Sequence, residues 1–168
     1  MPHRRLVLVR HAQAGNAATD RDRPLTELGR HQAAAAGEQL AGLGVAPDRV
    51  LVSPALRARE TWHEMSAALA GPPGPEIEER IYDNTLEGLF EVIGESGEDV
   101  GTLVVVGHNP AVGQLASDLD DGEGDDDARE DLSRGFPPAS IAVFEVGDPF
   151  SMLGTGTARL VHLLVPSA

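Results

Sequence analysis

The chain has 168 residues, 41% of them apolar, enough to bury one substantial core, and residues 1–168 are read as a single domain. It contains no cysteine, which excludes disulfides, thiolate metal clusters and cysteine nucleophiles. Net charge is −14, and residues 118–131 supply −8 of it through nine acidic groups and one arginine, a surface that would repel a nucleic-acid backbone.

Only four apolar residues separate Arg4 and Arg5 from Arg10, too few for the core of a signal peptide. No apolar run approaches the roughly 20 residues of a membrane span, so a soluble cytoplasmic protein without membrane contact is expected. Arg5–Val9 reads as the first strand, followed by a polar segment through Pro24. Ala33, Ala36, Leu40 and Leu43, three and four apart, predict a helix from Thr26 that Gly44 terminates. A second strand covers Val50–Val52, and Pro54 then suits the first turn of a helix reaching to about Ala70. Gly71-Pro-Pro-Gly-Pro is a rigid connector, and Glu76–Ile81 reads as a third strand. Leu86, Leu89, Phe90 and Ile93 mark a helix with Asn84 or Thr85 as its cap. Leu103–Val106, bounded by Gly107, is a continuous apolar run of the kind covered on both faces. Residues 118–131 are expected to form a solvated, mobile acidic loop. A calcium site of the EF-hand type does not fit them, because Gly124 at the sixth position puts Leu119 where the first carboxylate is required. Ile141–Val146 and Arg159–Val165 close the chain as two strands, antiparallel at an edge. Alternation of this kind predicts an α/β fold: three layers, α/β/α, with a mainly parallel central sheet and helices on both faces.

Ligands of such sheets collect at the carboxyl ends of the strands. Three strand ends carry chemistry: Arg10-His11 after the first, Ser53-Pro54-Ala55-Leu56-Arg57 after the second, and Gly107-His108-Asn109-Pro110 after the long apolar run. Two arginines and two histidines would therefore converge on one edge. A neutral imidazole is a competent nucleophile near neutral pH, and guanidinium groups present paired donors in a plane to phosphoryl oxygens.

Leu-Val-Arg-His-Ala at 8–12, Pro-Leu-Thr-Glu-Leu-Gly at 24–29, Ser-Pro-Ala-Leu-Arg-Ala-Arg-Glu-Thr at 53–61 and Gly-His-Asn-Pro at 107–110 together resemble the histidine phosphatase superfamily, also called phosphoglycerate mutase-like. The short length most resembles its SixA-like phosphohistidine phosphatase branch. The resemblance implies the phosphoglycerate mutase-like fold, His11 as the nucleophile that becomes phosphorylated, and Arg10, Arg57 and a protonated His108 as catalytic groups holding the phosphoryl oxygens. One departure is Ala12, where the family usually has glycine; its methyl is expected to crowd the phosphate loop slightly. Gln13, Asn16 and Asn109 are further candidate phosphate donors, whereas Arg21 and Arg23 read as exposed charges. His3, His31, His63 and His162 read as structural or surface residues, and Trp62 and Met65 as core.

A carboxylate after the third strand protonates the leaving oxygen in larger members of that family, and here Asp83 and Glu87 are the candidates, without a recognisable acid motif. The phosphorus–nitrogen bond of phosphohistidine makes less demand on such a donor, whose contribution is typically about 10²–10⁴-fold. The expectation is thus a phosphohistidine phosphatase acting on a protein phosphocarrier, with a small phosphomonoester phosphatase and a non-catalytic phosphate or phosphoprotein binding module as alternatives. No metal and no cofactor is implied, because no ligand spacing is present and the arginines supply the positive charge.

Overall fold

The computed structural model describes residues 3–166. Six strands form one mixed sheet in the order β3-β2-β4-β1-β5-β6. The strands are β1 (Arg4–Arg10), β2 (Arg49–Val52), β3 (Glu76–Ile77), β4 (Thr102–Gly107), β5 (Ile141–Val146) and β6 (Ala158–Leu164). β1, β2, β3 and β4 are mutually parallel, while β5 runs antiparallel to both β1 and β6. The fold is therefore the expected α/β class with the expected antiparallel edge.

Side chains of a strand point alternately to the two faces, and the central strands supply apolar residues to both. Val7, Val9, Val50, Val52, Val104 and Val106 pack with Ala33, Ala36 and Leu40 of α1 (Glu27–Gly42) and Trp62 and Met65 of α2 (Leu56–Ser66). Leu6, Leu8, Leu51, Leu103 and Val105 pack on the other face with Leu89 and Ile93 of α4 (Leu86–Gly94), Val112 and Leu115 of α5 (Ala111–Leu119) and Leu132 of α6 (Asp126–Ser133). The short α3 (Glu79–Tyr82) precedes α4. Three layers result, with Trp62 and Met65 in the core as expected.

Several local expectations change. α2 starts at Leu56, with Pro54 outside it, because the Ser53 hydroxyl accepts the Ala55 N–H and turns the chain before the helix begins. It ends at Ser66, after which Ala68 and Leu69 donate three residues back, to Met65 and Ser66, in tighter turns. The third strand is only two residues long, since the Glu78 carboxylate accepts the Arg80 N–H and starts α3. Thr85, not Asn84, caps α4, accepting from Gly88 N. Residues 118–131 are not a loop throughout. They comprise the end of α5 and most of α6, capped by Asp125, and the segment is tied to β6 by Asp121 N–H and Asp125 N–H donating to the carbonyls of Ala158 and Leu160.

Candidate active site

β1, β2 and β4 run in the same direction, so their carboxyl ends share one edge of the sheet, where Arg10 pairs in register with Gly107 and Val52 with Val106. His11 and His108 follow directly, and their rings lie 5.2 Å apart between centroids. Arg57 arrives from the first turn of α2. These four line a pocket of about 440 Å³ together with Asp20, Arg23, Tyr82, Asn84 and Asn109. Residues almost a hundred positions apart are thus brought together, as the strand ends implied.

The protonation states follow from the contacts. Nδ1 of His11 lies 2.7 Å from the Ala12 carbonyl, which can only accept, so Nδ1 carries the proton and Nε2 keeps its lone pair. Burial, assisted by the charges of Arg57 and Arg10, lowers the His11 pKa to about 4. His108 is pushed to about 3, by burial first and then by His11 and Arg57. The protein's own groups therefore favour a neutral His108 near pH 7, while the doubly charged phosphoryl group beside which a protonated ring is expected would act in the opposite sense. Ser53, fully buried, holds His108 by a 2.7 Å contact between its hydroxyl and Nε2. Nδ1 of His108, Nε of Arg10 and Nε of Arg57 are buried without a hydrogen-bond partner. Orphaned groups of this kind are rare in folded proteins, and three of the five among the described residues belong to side chains lining one pocket.

The weaker candidates divide. Asn109 lines the pocket, but its amide donates to the Phe136 carbonyl and accepts from Gly113 N–H, so it braces the turn into α5. Gln13 and Asn16 lie outside the lining; the side-chain amide oxygen of Gln13 accepts from the Thr26 hydroxyl instead. Asp83 and Glu87 are exposed and outside it too. Arg23, read as an exposed charge, lines the pocket, whereas Arg21 stacks over the Tyr82 ring and pairs with Glu79. The Ala12 methyl does not crowd the pocket: the residue is fully buried in the core beside α1 and α2, and its N–H donates to the Thr61 hydroxyl. Asp20, Tyr82 and Asn84 were missed, because they sit in a single 3-10 turn, at the end of the four-residue α3 and in the turn after it, all too short to show a periodicity. A larger groove of about 810 Å³ adjoins through Asn109. No arginine or histidine lines it, so it lacks the donors a phosphoryl group needs.

The family model for the histidine phosphatase superfamily (branch 1) matches residues 6–96. The chain belongs to that superfamily. As a member, this histidine phosphatase is a hydrolase. It is 34% identical over 121 residues to phosphohistidine phosphatase SixA of Escherichia coli K12, covering 70% of this chain and 75% of the relative. An uncharacterized protein of Mycobacterium tuberculosis H37Rv is 37% identical over 162 residues, covering 94% of this chain and 99% of its own. Among solved structures, a protein from Nakamurella multipartitia assigned as phosphohistidine phosphatase SixA superposes with a TM-score of 0.87 at 30% identity, covering 99% and 98% of the two chains. The protein histidine phosphatase SixA complexed with tungstate gives 0.78 at 27% identity, covering 96% and 97%. The phosphoglycerate mutase-like fold expected from the motifs is the fold of this histidine phosphatase. Among the described residues no helix is long and apolar enough to cross a membrane.

Proposed function

We propose that this histidine phosphatase, acting as one domain over residues 1–168 in the cytoplasm, hydrolyses phosphohistidine on a protein phosphocarrier. Nε2 of His11 attacks phosphorus in line and forms a phosphohistidine on the enzyme, which water then hydrolyses. Arg10, Arg57 and His108 hold the phosphoryl oxygens and meet the charge as it develops. The observation that carries the reading is the His11 tautomer, since the Nδ1–H to Ala12 contact leaves Nε2 free inside a pocket lined by three arginines. Support for the substrate class comes from the SixA relatives and from tungstate, a tetrahedral oxyanion, in one of them. Neither carboxylate proposed to protonate an ester oxygen lines the pocket, which disfavours small phosphomonoesters, and the adjoining groove leaves room for polypeptide around a modified ring.

Acid-quench trapping tests this directly. Radiolabelled phosphate from a phosphohistidine protein should appear on the intact chain as acid-labile, base-stable label and be absent from His11→Ala. Bound phosphate with no covalent label would support a binding module instead, and turnover of phosphomonoesters with the phosphohistidine protein untouched would support the small-molecule alternative.

A further inference from the structure

Among the described residues, Asp20 is the one carboxylate lining the pocket. Both terminal nitrogens of Arg57 are committed to it: Nη1 donates to its carbonyl at 2.7 Å and Nη2 to Oδ2 at 3.0 Å. The Tyr82 hydroxyl donates to the same Oδ2 at 2.5 Å, and Arg23 Nη1 donates to Oδ1 at 3.2 Å. The Arg57 side chain is 8% exposed and that of Asp20 is 51% exposed, so the guanidinium lies at the floor and the carboxylate at the mouth. The Tyr82 hydroxyl, and then Arg57 and Arg23, hold the Asp20 carboxyl well below the usual carboxylate range. An ionised carboxylate cannot protonate the leaving oxygen of an ester, but it can accept the N–H of a protonated ring.

We propose that Asp20 sets the leaving group of this site: it receives the ring N–H of the substrate phosphoimidazole while phosphoryl oxygens replace it on Arg57. The inference rests on the phosphohistidine reading above. His11 Nε2 supplies the electron pair of the new phosphorus–nitrogen bond, the substrate's own bond breaks, and that electron pair returns to the substrate ring nitrogen. The other ring nitrogen keeps its proton, so neutral imidazole departs and no proton needs to be delivered. An unprotonated ring would have to leave as an anion. A carboxylate facing the N–H favours the protonated form, as an opposite charge favours any cation. Tyr82 and Arg23 remain on the carboxylate when Arg57 is given up, and keep it at the mouth.

Two small substrates separate this role from a structural one. Phosphoimidazole expels imidazole, whereas p-nitrophenyl phosphate expels a stable phenolate that needs no proton. Asp20→Asn should lower kcat/KM for phosphoimidazole by about 10- to 100-fold, the worth of a hydrogen bond to a charged group, while p-nitrophenyl phosphate turnover is retained or rises as Arg57 is freed. Asp20→Ser repeats the comparison without an amide at that position and should give the same split. An equal loss on both substrates would make Asp20 a support for Arg57 only, an equal gain would make it a block, and either result overturns the proposal. A wild type that cleaves p-nitrophenyl phosphate but neither phosphoimidazole nor a phosphohistidine protein would instead overturn the parent reading.

Discussion

Single side chains decide the chemistry, and their burial sets their charge. The folded pKa values of His11 and His108, about 4 and about 3, lie below the value near 6.5 of an unfolded chain. Between pH 6.5 and 4 the unfolded chain therefore binds more protons than the folded one, so the stability contributed by keeping both rings neutral is complete above pH 6.5 and declines as pH falls. Thermal midpoints measured from pH 7 down to 5 should decrease, and His108→Asn should make the decline shallower. Ser53 is the residue that holds the His108 ring, through Nε2. Removing its hydroxyl in Ser53→Ala leaves that nitrogen buried and unpartnered, with a stability cost of about 1–3 kcal/mol. Denaturant unfolding checks the stability loss, and a fall in turnover accompanying it would reflect the released ring. Neither effect was legible from Ser53 in the sequence, where it is simply the first residue of a motif.

At the scale of elements, the helices are positioned by backbone approach as much as by apolar faces. α1 and α2 cross where Gly37 meets Met65: a Cβ at residue 37 would lie 2.4 Å from the Met65 carbonyl oxygen. Backbone cannot yield as a side chain does, so Gly37→Ala should push the two helices apart at a cost of about 1–3 kcal/mol, read as a lowered melting temperature. Because α2 carries Arg57, some loss of phosphate affinity should accompany it. α6 shows why composition misled: nine acidic groups read as a repelling loop, yet Asp125 caps the helix, Asp126 and Asp127 sit in its first turn where the helix dipole favours negative charge, and Arg129 pairs with Asp120 at 2.9 Å. Ala128 and Leu132 then anchor it to the core. Two apolar residues were sufficient, and their four-residue spacing was visible but outweighed by the charge. The reading of Glu76–Ile81 as one strand failed in the opposite direction: only Glu76–Ile77 pair as a strand, Ile77 is exposed, and Ile81 is the buried residue of α3 itself.

Across the whole molecule, a net charge of −14 surrounds a pocket that gathers Arg10, Arg23 and Arg57. Field lines converge on such a pocket and attract a phosphoryl group, while acidic surfaces elsewhere repel anions at large. In the proposed mechanism the arginines supply the charge that a divalent cation provides in other phosphoryl-transfer enzymes, and among the described residues no cluster of carboxylates and histidines has the arrangement to hold a metal ion. Turnover should therefore be unchanged after dialysis against a chelator, measured on p-nitrophenyl phosphate and on a phosphohistidine protein; loss of activity restored by an added divalent ion would contradict the mechanism.

The positions of five of the six strands, the sheet class and the gathering of Arg10, His11, Arg57 and His108 at one sheet edge were legible in the sequence itself, because each depends on local pattern: an apolar run, a helical spacing, a short motif at a strand end. The order of the strands, with β4 inserted between β1 and β2, was a tertiary outcome. So were the placement of Asp20 on Arg57 and of Tyr82 on Asp20, and the exclusion of Asp83 and Glu87 from the pocket. Those contacts join residues 37 and 62 positions apart, through irregular segments and helices of a single turn. No periodicity tells which side chain of such a segment turns inward; that is decided only when packing of the helices on the sheet fixes where the segment runs.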